Sequence, residues 1–133
     1  MEKSVSYFDL AENDYQFLLK DKQEGRVGNI MCSAAQNICE RYLKHLIDIY
    51  VLDCDTTRSL QTHSLRFLRR FVQEKLPEFE GNWKVILQAD GYYFSTRYPG
   101  DGAFIVGKED VEECWEAVEE TRQAVKKYLE RVK

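Results

Sequence analysis

The segment "KEDVEECWEAVEETRQAVKKYLERVK" constrains the fold more than any other part of the chain. Val111, Val118, Val125 and Val132 recur every seven residues, with Trp115 and Leu129 four beyond the first and third. Apolar residues so spaced share one face of an α-helix but would alternate between the faces of a strand. The opening turns carry Glu109, Asp110, Glu112 and Glu113, and the end carries Lys126, Lys127 and Arg131. That order complements the helix macrodipole. A helix over about residues 108 to 131 follows, with an apolar stripe that other elements must cover.

The same period runs through most of the chain. A first helix is expected over about residues 6 to 21, with Phe8, Leu10, Ala11, Tyr15, Leu18 and Leu19 on one side. After "EGRVG", a second is expected over about 27 to 52, with the stripe Val27, Ile30, Met31, Ala34, Ile38, Tyr42, Leu46 and Ile49. Gln36, Glu40, Lys44 and Asp48 read as its outer, solvated row, where Glu40 and Lys44 have the favourable i, i+4 orientation. "DCDTTRSLQT" is a polar break. A third, shorter helix follows over about 63 to 75 and ends near Pro77, because the residue before a proline is pushed out of the α region. A fourth is expected over about 83 to 97, stopped by Pro99 and the Gly-Asp-Gly turn. With no repeat, linker or low-complexity segment, the expectation is one all-α domain over residues 1–133: an antiparallel bundle of five helices, four long and one shorter.

Composition narrows the function. Seven Gly and two Pro are too few for a turn-rich β-sandwich. A net charge of −4 argues against a broad non-specific grip on nucleic acid, while leaving room for a small local basic pocket. No apolar run approaches the roughly 20 residues that span a bilayer. The opening "MEKSVSYFDL" lacks the apolar region of a secretion signal, so a cytoplasmic location is expected. Cys32, Cys39, Cys54 and Cys114 form no CxxC pair and read as reduced thiols. Two histidines, neither beside a cysteine, make a metal site a poor expectation, and no cofactor motif is present.

Chemistry concentrates in "YYFSTRYPGD", residues 92 to 101. At 3.6 residues per turn, Trp83, Ile86, Leu87, Asp90, Tyr93, Phe94 and Arg97 fall on one broad face. A carboxylate among apolar neighbours must be paired or open to a cleft, so Asp90 either meets a neighbouring helix or borders a polar pocket. Arg97 would meet phosphate, and Tyr98, held extended by Pro99, offers a ring for base stacking. Tyr92, Tyr93 and Asp101 complete the candidate ligand site; core packing is the alternative role for the aromatics. Arg58 and His63 in "RSLQTH" are candidate catalytic residues. An imidazole can take the proton of an RNA 2′-hydroxyl while a guanidinium stabilises phosphate charge. The alternative is that Thr62 or His63 sets the start of the third helix. His45, beside Arg41 and Lys44, reads as the edge of a solvated face.

Four blocks carry a resemblance: "SAAQNICERYLKHLI", "THSLRFL", "YYFSTRYPGD" and "KEDVEECWEAVEETRQAVKKYL". In that order they resemble the HEPN (higher eukaryotes and prokaryotes nucleotide-binding) family. The resemblance implies a small helical bundle, usually a homodimer, in a bacterial or archaeal setting. It often stands beside a separately encoded minimal nucleotidyltransferase. It also implies nucleotide or RNA binding, a toxin–antitoxin pairing, or RNA cleavage by an Arg followed a few residues later by His. Arg58 and His63 meet that spacing, although in the cleaving branches the pair lies farther along, near a helix lining the dimer cleft. The functional expectation is a nucleotide- or RNA-binding module acting with a nucleotidyltransferase-type partner. A metal-independent ribonuclease and a non-catalytic dimerisation module are the alternatives.

Overall fold

A computed structural model of the chain describes residues 4–95, 99–100 and 102–133, with residues 93 and 94 described by their backbone alone. The fold is all-α, with no strand among the described residues. Its helices are α1 (Tyr7–Gln23), α2 (Asn29–Tyr50), α3 (Thr57–Gln61), α4 (Leu65–Lys75), α5 (Trp83–Ile86), α6 (Tyr92–Ser95) and α7 (Lys108–Arg131). A 3₁₀ turn, Leu87–Ala89, extends α5.

Local chemistry sets the helix starts. Ser6 and Asp9 form a reciprocal capping box, each side chain accepting the other's backbone N–H at 3.0 Å. Ser64, rather than Thr62 or His63, caps α4 by accepting Phe67 N–H at 3.1 Å. Thr62 Oγ1 in turn accepts Ser64 N–H. Within the expected polar break, Asp55 accepts both the backbone N–H and the hydroxyl of Thr57, which starts the short α3.

The fourth helix is not continuous. Asp90 turns extended, with ψ 145°, and Gly91 takes φ +91°, a region that favours glycine. The chain breaks there because Asp90 leaves the helix to accept Leu65 N–H at the start of α4.

α2 is the central helix. Ile38, Cys39, Tyr42, Leu43, Leu46 and Ile47 are all fully buried. Val27, Ile30 and Ile49, expected in its core stripe, are exposed instead. The row expected to be solvated is largely buried: Gln36, Glu40 and Lys44 are 1%, 2% and 6% exposed, and only Asp48 faces water. A helix covered on nearly every side has no outer face, so its polar residues need partners inside. His45 is likewise half-buried, packed against Phe8 at 5.5 Å, and burial lowers its pKa.

α1 and α7 flank α2. Asn29 at the start of α2 holds Phe104 and Val106 just before α7, Thr121 donates to Cys39 Sγ at 3.4 Å, and Tyr50 meets Tyr128. α2 and α7 therefore run in the same direction, with α1 antiparallel to both; the chain from Val51 to Gly107 is the crossover that returns it. Val111, Val118 and Val125 are buried within this bundle, and Val132 at the end of the period is exposed. Cys32, Cys39 and Cys114 are buried free thiols, and Cys54 is an exposed one.

One network ties the three long helices. Glu12 of α1 accepts from Tyr42 Oη at 2.6 Å and from Arg122 Nε at 2.7 Å. The Arg122 guanidinium also lies over the Tyr15 ring at 4.2 Å. Its hydrogen bond to Glu12 holds that carboxyl below the ordinary value of 4.5. A depressed folded-state pKa contributes stability in full above the unfolded value, and loses it as pH falls through the folded one. Glu12→Gln should therefore cost about 1 kcal/mol at neutral pH after solvent screening. The deficit should shrink as pH falls below about 4.5, as measured by urea unfolding across a pH series.

Candidate functional site

The crossover packs beside α2, and its first part holds the densest chemistry. Glu40 lies at the centre. Its Oε1 is 3.3 Å from Lys44 Nζ and 3.1 Å from His63 Nδ1. Its Oε2 is buried with no hydrogen-bond partner among the described residues. One turn earlier on α2, Gln36 Nε2 donates to the His63 carbonyl at 2.5 Å. Both contacts draw His63, whose side chain is 40% exposed, against a buried carboxylate. A carboxylate on Nδ1 selects the tautomer protonated there and makes Nε2 the basic nitrogen of the neutral ring.

His63 leads straight into α4, and α4 turns a cationic face outward. Arg66, Arg69, Arg70 and Gln73 stand at i, i+3, i+4 and i+7, a single stripe along the helix. The three arginines and Gln73, with Leu87, line a cleft of about 590 Å³. Arg66 Nε lies 3.8 Å from Asp90 Oδ2. Among the described residues, no carboxylate pairs with Arg69 or Arg70. In a chain of net charge −4, two guanidinium groups with no carboxylate partner among the described residues, set in a concave place, form a local anion-attracting surface.

The expected site residues divide. Arg58, in α3, rests its guanidinium over the Phe67 ring at 5.3 Å, while His63 meets Glu40; each engages a different partner. Asp90 accepts Leu65 N–H at 2.8 Å, so the segment entering residues 92–101 is tied to the first turn of α4 and its arginines. Tyr92 is buried, donates to Asp110 Oδ1 at 3.3 Å and packs near Phe104. Burial raises its phenol pKa. Of Tyr93 only the backbone, within α6, is described. Arg97, Tyr98 and Asp101 lie outside the described residues. Among the described residues, no group of three or more His, Cys, Asp or Glu is placed to hold a metal ion.

A family model described as "HEPN domain" matches residues 6–128, nearly the whole chain. The chain belongs to the HEPN domain family. No curated protein and no solved structure matches it. The family makes this a helical module related to nucleotides or RNA. No helix among the described residues is long and apolar enough to cross a membrane.

The sequence pattern assigned no site role in this HEPN domain to Gln36, Glu40 and Lys44, expected on a solvated row and found in the core, or to Arg66, Arg69 and Arg70 on α4. The arginines left a signal: "LRFLRRF" places three cations on one helical face. Leaving Lys44 buried without Glu40 is costly, since an unpaired internal charge destabilises by about 3 kcal/mol or more. Glu40→Ala should therefore lower stability by about 3 kcal/mol, and the pair Glu40→Leu with Lys44→Met should recover most of it, both read by urea unfolding.

Proposed function

We propose that this HEPN domain binds a nucleotide or an RNA segment through its phosphates. In this reading it is a cytoplasmic homodimer working with a nucleotidyltransferase-type partner in a toxin–antitoxin-like pair. The observation that carries the binding reading is the α4 stripe. Arg69 and Arg70 lack carboxylate partners among the described residues and line a cleft large enough to admit phosphate groups. A guanidinium donates in a planar fork that suits phosphate oxygens. Asp90 joins this face to the start of the 92–101 stretch, so Arg97, Tyr98, Asp101 and Tyr93 are proposed to extend the same ligand surface. The partner reading draws on the exposed Phe17 and Ile30, beside a cleft of about 310 Å³, which supply apolar surface for a protein contact.

One observation favours a second reading, a metal-independent ribonuclease. Glu40 on Nδ1 would make Nε2 of His63 the proton acceptor for a 2′-hydroxyl, with Arg58 near the phosphate. Pure protein should then degrade RNA in EDTA and lose that activity in His63→Ala. Intact RNA removes this reading.

For the binding reading, a short oligoribonucleotide should bind with an affinity that falls as salt rises. Removing both cations in Arg69→Ala/Arg70→Ala should weaken it and flatten the log–log salt slope by about 1.4, at about 0.7 per phosphate contact on a single strand. A double variant that binds as tightly, with the same slope, would sink the assignment.

A further inference from the structure

The cationic stripe does not end at Arg70. Gln73, the last residue of the stripe, also lines a second depression of about 640 Å³. Its other walls are Pro77, Phe79, Glu80, Gly81 and Trp83. The two hollows share Gln73 but differ in charge, since no lysine or arginine lines the second and Glu80 does. The first is walled by guanidinium groups, the second by an indole and a proline.

Trp83 is held firmly for a half-buried ring. It opens α5 directly after Asn82, whose backbone N–H donates to Glu120 Oε2 of α7 at 3.0 Å. Asn82 Oδ1 then caps the helix by accepting Val85 N–H. The indole packs against the buried Phe79 at 5.4 Å, with the rings tilted by 53°. Gly81 keeps that arrangement tight: a Cβ there would stand 2.8 Å from Phe79 Cε1. A rigid aromatic side chain at the edge of an open depression needs little ordering to receive a flat ligand.

Charge gives the groove a direction. Glu80 stands on the rim of the Trp83 hollow and pairs with Arg131 at 3.3 Å, so the cation nearest that rim is already answered by a carboxylate and the hollow suits an uncharged base better than a phosphate. At the other end Arg69 and Arg70 attract phosphate. Between them Gln73 presents an amide that can donate or accept towards a sugar or base edge. Arg66 and Arg70 are one helical turn apart, about 6 Å along the axis, so the stripe can meet more than one phosphate of a strand.

We propose that the α4–α5 groove is a binding track for single-stranded RNA, with phosphates on Arg66, Arg69 and Arg70 and one base stacked on Trp83. This rests on the phosphate-binding reading above and adds the ligand class and the base subsite. A free mononucleotide would fill only part of such a track, whereas a short strand fills both halves.

The test separates the two claims. In a Trp115→Phe background, the remaining tryptophan fluorescence comes from Trp83. A short oligoadenylate should quench it on binding, and inorganic tripolyphosphate, which has no base, should compete for the arginines without quenching. Trp83→Leu should lower oligoadenylate affinity about ten-fold and leave tripolyphosphate affinity unchanged. Because that variant removes packing against Phe79, its fold is checked by thermal melting; the quenching experiment needs no change at Trp83. If both ligands bind through the arginines while Trp83 emission stays constant, the track is wrong and the phosphate reading stands. Binding of neither ligand overturns both.

Discussion

A carboxylate shut inside a helical bundle must be answered, and the answer organises the face of this HEPN domain. Glu40 is 2% exposed at the middle of the most buried helix. Lys44 satisfies part of its charge from the same helix, and the imidazole of His63 is drawn in from the crossover. Gln36 holds the His63 backbone at the same point. Together they fix where the chain re-enters after α3, and so fix the start of α4. Asp90 ties that start from the other side by accepting Leu65 N–H. Burial of Leu65, Leu68 and Val72 turns the arginine stripe outward, and this double anchorage fixes where the stripe begins. Buried polar contacts of this kind add little net stability compared with apolar packing, but an alternative register would leave them unsatisfied.

The electrostatic character of the molecule is uneven in consequence. Acidic residues dominate the total, yet many are absorbed by specific neighbours: Glu12 by Arg122, Glu112 by Lys22, Asp14 by Arg41. The cations of α4 are less fully answered. Net charge is therefore a poor guide to what this surface attracts, because counterion displacement depends on local potential rather than on the sum. A narrow cationic face on an acidic body also suits discrimination: the body repels a polyanion wherever the groove does not hold it.

Legibility followed the reach of the interactions. α7 was readable almost to the residue, because its period, its acidic start and its basic end are all local. The extent of α1 is legible from its apolar period, although Leu10, expected on the inner side, is exposed. The row Gln36, Glu40, Lys44 is buried where its pattern suggests water, because a polar i, i+4 series looks the same whether water or another element covers it. The apolar period carries a fourth helix through Asp90 and Gly91, yet the Asp-Gly dipeptide is a local turn signal that the period outweighs, and only the fold shows Leu65 N–H, distant in sequence, binding the Asp90 carboxylate. His45 sits at the edge expected of it, and only the fold shows that the Phe8 ring of another helix covers part of it.

The sequence by itself determined that the chain is helical, where its long helices run and that it belongs among HEPN domains, since periodicity, caps and motif blocks act over a few residues. The spacing in "LRFLRRF" also puts three arginines on one helical face, a signal that gained its meaning only from the cleft they line. Only the tertiary structure decided which polar side chains are buried, how His63 meets Glu40 and how the cationic stripe adjoins Trp83. Those outcomes depend on the path of the chain between Val51 and Gly107, because burial is a property of what one element packs against and not of its own composition.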